Sequence, residues 1–258
     1  MTNVRQIYEY LDCLAPFATQ EAWDNSGLLL GRLDKSVRRV LLCVDLTAQT
    51  AARAVAEQAD LVLTHHPPIF HPISSIPGTA VYYPLLTADI ALIAAHTNLD
   101  RAPGCGVNTA LCDLLELERV GIEPERGVSP YVSLCACAEL SPRALARRVG
   151  AKLRSSPVRN PAVRLLDLEK PVRRVAVCAG AGGEFVQDAG RLGAELLLTG
   201  EAKHNELVEA RNLGLSVLMV GHHASEAPVL PCLAERLLAL DPALEALVEM
   251  AGGECAVL

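Results

Sequence analysis

Apolar residues at Val4, Ile7, Tyr8, Leu11 and Leu14 recur at the three-to-four spacing that gathers them on one side of a helix, and Pro16 ends it. The cluster DNSG at 24–27 signals a turn and feeds a short strand at Leu28–Leu30. From there the pattern alternates. Arg38–Leu46 (RRVLLCVDL) reads as a strand, TAQTAARAVAEQ as a helix, and Asp60–Thr64 (DLVLT) as a second strand. Ala88–Ala95 (ADIALIAA) reads as another strand and Gly106–Leu117 (GVNTALCDLLEL) as a helix.

The stretch GIEPERGVSP at 121–130 breaks this rhythm with Gly, Pro and charge, so a domain boundary is expected there. Beyond it YVSLCAC, RRVAVCA, AELLLTG and LSVLMVG read as strands, and Pro142–Leu153 as a helix. Strand–helix alternation with strands apolar on both faces predicts an α/β fold with mixed, mostly parallel sheets. Two related α/β lobes, 1–125 and 126–258, packed as one unit, fit the length of 258 residues. LVLTHH in the first half has echoes in LLLTGE and LMVGHH in the second, without an exact repeat period.

Composition narrows the class. The chain is 51% hydrophobic but only 3% aromatic, so Leu, Ala and Val must supply the packing. A net charge of −7 gives no general attraction to polyanions. Short basic stretches such as KPVRR (Lys170–Arg174) occur, but no long one does, so no nucleic-acid partner is expected. The N-terminal segment carries Glu9 and Asp12 where a signal peptide would be apolar, and no run is long enough for a bilayer, so a cytoplasmic protein without a membrane partner is expected. Nine scattered cysteines without a CxxC are expected to be reduced thiols, mostly small core residues.

The histidines carry the chemistry. In open α/β sheets ligands bind beyond the carboxyl ends of the strands. His65 and His66 follow DLVLT there, His96 follows IALIAA, and His222 and His223 follow LSVLMVG. Asp100 comes four positions after His96, and Glu226 four after His222. Neighbouring side chains on extended backbone point in opposite directions, so His65 and His66 are expected to splay and serve two adjacent ions, with Pro67 and Pro68 holding the fork open. Two cations roughly 3.5–4 Å apart need bridging anions, and Asp100 and Glu226 are the candidate carboxylates. Imidazole with carboxylate suits Zn, Fe, Mn, Co or Ni.

Other features read more plainly. His71 and His204 are expected to be surface or hydrogen-bonded residues, and CAGAGGEF (Cys178–Phe185) a tight turn, since it lacks the third glycine of the dinucleotide fingerprint. Glu201 in LLLTGE is either a partner of the site or a helix-capping acid. Trp23, the sole tryptophan, is expected to anchor a core.

WDNSGLLLG, LTHHPPIF, AHTNLD with GVNTAL, the GAGG turn, LLLTGE and GHHASE, in that order, resemble the dinuclear-metal proteins known as GTP cyclohydrolase 1 type 2 homologs, or Ngg1-interacting-factor-three-like proteins. The resemblance runs from about Val4 to the helix after Glu226. It implies two α/β lobes with a metal pair in the cleft between them, and a toroidal homohexamer. It also implies two divalent metal ions per chain, held by His65, His66, Asp100, His222 and Glu226, with His65 and Asp100 on one ion, His66 and His222 on the other, and Glu226 bridging. His96 is implied as a further ligand or a neighbour of one. Pro68 departs from the more usual aliphatic residue, and the inserted middle domain of longer relatives is lacking. The implied activity is a metal-dependent hydrolase opening the guanine imidazole ring of GTP with a metal-bound hydroxide. The alternatives are a phosphoesterase or other small-molecule hydrolase, or a non-enzymatic metal-binding or assembly protein.

Overall fold

A computed structural model of the chain describes residues 2–121, 127–158 and 161–251. The first helix, α1 (Val4–Leu14), starts at a capping box: Asn3 Oδ1 accepts the Gln6 N–H, and Gln6 Oε1 accepts the Asn3 N–H, each at 3.0 Å. There follow β1 (Gly27–Leu30), β2 (Arg39–Cys43), α2 (Ala48–Ala56), β3 (Leu61–Thr64), α3 (Tyr83–Thr87), β4 (Ala91–Ala94) and the single turn α4 (Thr97–Asp100). β2, β3 and β4 are parallel neighbours and β1 runs antiparallel beside β4. Every residue of β3 and β4 is buried, as expected of strands covered on both faces.

A second unit, Val107–Pro228, contains α5 (Val107–Leu115), β5 (Glu118–Val120), β6 (Ser133–Leu140), α6 (Pro142–Ser155), β7 (Arg164–Leu166), β8 (Val172–Cys178), α7 (Val186–Arg191), β9 (Leu196–Thr199), α8 (His204–Leu213), β10 (Ser216–Met219) and α9 (His222–Glu226). Its six strands run in the order β5-β6-β8-β9-β10-β7, with β8, β9 and β10 parallel and the outer pairings antiparallel. Alternation along the strands builds two cores. Val175, Val177 and Leu198 pack with Leu145, Val149 and Leu153 of α6, while Ala176, Leu197 and Val217 pack with Val186 and Ala189 of α7. Each such leucine or valine contributes roughly 1.5–3 kcal/mol by leaving water.

The chain then returns to the first unit as α10 (Val229–Leu240) and β11 (Glu245–Glu249). β11 is added parallel to β2, giving the order β1-β4-β3-β2-β11. The acidic end is thereby matched with basic residues: Arg39 Nε donates to Glu245 and Arg53 Nη1 to Glu249, both at 2.8 Å.

The α/β class with two mixed sheets is as expected, although parallel pairings prevail only in the first sheet and three of the five in the second are antiparallel. Three further expectations need correction. The first unit ends at Gly106 and resumes at Val229, rather than dividing the chain once near 125. The break at 121–130 falls instead inside the second unit, after the edge strand β5, and residues 122–126 lie outside those described. The strand expected from Ala88 begins at Ala91, because Asp89 takes φ 53° and Ile90 N–H closes the end of α3 on Leu85 O. Cys105 and Cys232 are not thiols but a disulfide, their Cα atoms 6.5 Å apart. The return of α10 to the first unit brings together residues separated by 127 positions. Cys13, Cys43, Cys112, Cys135, Cys137 and Cys178 take no part in a disulfide, four of them are buried, and Cys255 lies outside the described residues.

Candidate functional site

Strand register assembles the first group. Cys43 is level with Thr64 and Thr64 with Ala94, so the residues that follow these three strand ends emerge side by side. β1 runs the other way, with Gly27 level with Ala94, so the residues before it, Asp24 to Ser26, arrive at the same edge. Asp45, His65, His66, His96 and Asp24 are brought together by this arrangement.

His65 and His66 do not splay as expected. Their N–H groups bond to consecutive carbonyls of the β2 segment, Cys43 at 3.0 Å and Val44 at 2.9 Å. A regular strand alternates its donors between two neighbours. Breaking that alternation leaves the two rings on one side, with centroids 4.8 Å apart, and the His96 ring lies 5.2 and 5.3 Å from them. One ring nitrogen from each of the three lies within 4.8 Å of the others.

Each ring is held by its Nδ1. His65 Nδ1 lies 2.9 Å from Ala95 O, His66 Nδ1 lies 2.7 Å from Asp45 Oδ1, and His96 Nδ1 lies 2.9 Å from Asp24 Oδ1. Carbonyl and carboxylate oxygens only accept, so Nδ1 carries the hydrogen and Nε2 of the neutral ring carries the lone pair. Metal-binding histidines are oriented in this way. Asp100 joins the group, with Oδ1 3.6 Å from His65 Nε2.

The Asp24 side chain is shielded from solvent and anchors the cluster. Besides His96 it accepts from Thr97 N–H at 3.1 Å, Thr97 Oγ1 at 2.5 Å and Ser26 Oγ at 3.1 Å. Burial pushes its carboxyl up, but the hydrogen bonds from His96 and Thr97 prevail and hold it well below the usual carboxylate range. Trp23, next to it, is 60% exposed and meets the His96 ring edge-on at 5.9 Å, so it is not the core anchor expected. Phe70 meets the same ring at 5.9 Å.

The second unit repeats the device. Cys178, Thr199 and Met219 are level across β8, β9 and β10, so Gly180, Glu201 and His222 follow at one edge. His222 Nδ1 lies 2.9 Å from Glu201 Oε1, and its Nε2 lies 3.0 Å from Glu226 Oε1. With the Nδ1 hydrogen committed to Glu201, Nε2 of a neutral ring turns its lone pair toward a buried carboxylate oxygen, an arrangement that either a cation beside both atoms or a proton on Nε2 stabilises.

Glycines make that approach feasible. A Cβ on Gly180, whose φ is +64°, would lie 2.4 Å from Glu226 Oε1 and 3.3 Å from His222 Nε2. One on Gly200 would lie 2.5 Å from Gly180 O and 2.7 Å from Ser225 Oγ. Ser225 Oγ donates to His222 O at 2.7 Å and accepts Gly180 N–H at 2.8 Å, which fixes the loop to the helix carrying the pair.

These donor sets fit a divalent ion. Two ligands each about 2.0–2.2 Å from one ion lie roughly 3–3.5 Å from one another. The His222–Glu226 separation of 3.0 Å falls in that range, and the His65–Asp100 separation of 3.6 Å is close to it. Sequence reading missed Asp24 and Asp45. WDNSG held a signal for the first, a carboxylate in a turn before a strand, and Asp45 at the end of RRVLLCVD sits where ligands gather. His71 and His204 are exposed, as expected.

A sequence profile described as Duf34/NIF3 (NGG1p interacting factor 3) matches residues 2–251. The chain is 29% identical to a protein of Clostridium perfringens named GTP cyclohydrolase 1 type 2 homolog, over 91% of each. It is 34% identical to a Streptomyces coelicolor protein of the same name, over 88% of this chain and 83% of that one. The crystal structure of Staphylococcus aureus protein SA1388 superposes with a TM-score of 0.87 at 23% identity, covering 100% of this chain and 99% of that one, a likeness of fold alone. Reduced HcgD from Methanocaldococcus jannaschii superposes with a TM-score of 0.77 at 26% identity, over 96% and 97%.

Proposed function

The chain belongs to the Duf34/NIF3 family, and on that footing we propose that it is a dinuclear divalent-metal hydrolase. The ligands in this reading are His65, His66 and Asp100 from the first unit and His222 and Glu226 from the second. The observation that supports it most is the common posture of four histidines, His65, His66, His96 and His222. Each is fixed through Nδ1 to an oxygen, so each offers Nε2 as a ligand. Zn, Fe, Mn, Co or Ni would suit these donors.

When bound, such ions supply a hydroxide at neutral pH and polarise an electron-rich group of the substrate. The chain's own residues do the rest. Asp24, Asp45 and Glu201 hold imidazoles in one tautomer. Glu226 is buried at the helix α9, where Gly180 leaves room for its carboxylate. His96, held by Asp24, is either a third imidazole ligand or the group that passes a proton at Nε2, and Glu201 is the other candidate for proton handling.

GTP is the nominal substrate because relatives carry the name GTP cyclohydrolase 1 type 2 homolog. Incubation of the metal-loaded protein with GTP and with a set of phosphate esters tests this reading. Formate release supports ring opening, whereas phosphate release without formate assigns a phosphoesterase. Neither product from any substrate would leave a metal-binding or assembly protein. The same reading takes the working form to be a cytoplasmic ring-shaped homohexamer, which light scattering would report as six times 27.5 kDa. No helix among the described residues is long and apolar enough to cross a membrane.

A further inference from the structure

A cleft of about 320 Å³ opens on the second unit, lined by Arg143, Ala146, Arg147 and Arg154 of α6, by Leu165 of the edge strand β7, and by Val163 just before it. None of these residues belongs to the histidine groups. Positions 143, 147, 150 and 154 are four, three and four apart, which places them on one stripe of the helix. The third member of the stripe is Gly150, and glycine inside a helix costs roughly 1 kcal/mol relative to alanine. A Cβ there would come within 3.1 Å of the Arg154 guanidinium and 3.2 Å of Val163 Cγ2. The missing side chain is the space in which Arg154 lies back over the stripe.

The charges of α6 are not all available. The helix carries Arg143, Arg147, Arg148, Lys152 and Arg154 and no carboxylate. Arg148 and Lys152 pair with Glu116, and Arg143 Nε lies 2.7 Å from Asp167. Among the described residues no carboxylate lies within salt-bridge distance of Arg147 or Arg154. Two uncompensated guanidinium groups therefore stand over the apolar side chains of Ala146, Val163 and Leu165, in a chain whose net charge is −7.

We propose that this cleft binds a small organic phosphate, a phosphate monoester carrying an apolar group. Two free guanidinium groups match the charge of about −1.5 to −2 on a monoester at neutral pH, and their planar forks suit its oxygens. The apolar side chains take the organic part, and the volume lies at the lower end of the roughly 300–1,000 Å³ of small-molecule sites. A nucleic-acid strand needs a longer cationic track, and here the flanking Arg148 and Lys152 are already engaged by Glu116. The site stands independently of the metal reading.

Phenylglyoxal labelling of the full chain with its metals in place, read by peptide mass spectrometry, tests the site with phenyl phosphate as probe. Millimolar phenyl phosphate should slow modification of Arg147 and Arg154 at least five-fold and leave exposed Arg236 unchanged. Inorganic phosphate should protect less, and phenol not at all. Arg147→Gln should weaken phenyl phosphate binding at this site at least ten-fold by calorimetry, with the melting temperature unmoved. Phenyl phosphate bound at the histidines would leave the labelling of Arg147 and Arg154 unprotected. Protection no greater than that given by sodium chloride at equal ionic strength overturns the site. So does protection equal at Arg236, or given equally by inorganic phosphate. Protection by a short oligonucleotide alone would assign the face to nucleic acid and overturn it as well.

Discussion

Asp24 Oδ1 lies 2.9 Å from Nδ1 of His96, a residue 72 positions later, and the same carboxylate accepts from Thr97 and Ser26. A turn before the antiparallel strand β1 thus fixes the ring of a histidine that follows β4. Asp24→Asn replaces one acceptor oxygen by a donor and leaves buried hydrogen-bond donors without an acceptor. It should cost about 1–3 kcal/mol in urea unfolding and weaken metal binding roughly 10- to 100-fold in titration. Wild-type affinity with wild-type stability would show that Asp24 orients nothing.

Gly180→Ala addresses the second unit. The new methyl would collide with the Glu226 carboxylate at 2.4 Å and must also adopt φ +64°. Destabilisation of at least about 1 kcal/mol is expected, together with loss of metal at substoichiometric loading. A variant that keeps its full metal content would mean that Glu226 does not need this approach.

Trp23 offers a spectroscopic handle because it is the sole tryptophan and lies edge-on to His96 at 5.9 Å. Titrating metal-stripped protein with Co²⁺ should quench its emission in proportion to bound cobalt. Trp23→Phe should abolish the signal and change stability by less than about 0.5 kcal/mol, the side chain being mostly exposed. Cobalt binding without a change in emission would place the ion away from His96.

The disulfide closes a loop spanning 127 positions and ties α10 into the first unit. Reduction, or the Cys105→Ser substitution, should lower stability by about 2–4 kcal/mol in denaturant unfolding. Identical unfolding midpoints with and without reductant would deny the bond a structural role.

Much of the fold was legible because strands buried on both faces, such as LVLT and ALIA, announce themselves by composition. Less legible were elements whose existence depends on distant partners. EALVE becomes β11 only because β2 offers its edge with Arg39, and Arg53 of α2 waits for Glu249. The return of α10 was hidden for the same reason, and with it the pairing of Cys105 and Cys232. At the site, His65, His66, His96 and His222 could be read from their positions after strands. Asp24 and Asp45 stand at equally visible positions, but their role as orienting groups was not legible, since a carboxylate in a turn takes that role only once register places a ring beside it.

The most direct measurement is elemental analysis, per chain, of protein purified without added metal, for the wild type and Glu226→Ala. Two equivalents of a divalent transition metal in the wild type, lost or sharply reduced in a Glu226→Ala protein that still folds, are the predicted result. A metal-free wild type that stays empty when Zn²⁺, Mn²⁺, Co²⁺, Ni²⁺ or Fe²⁺ is supplied, or an unchanged count in the variant, would contradict it.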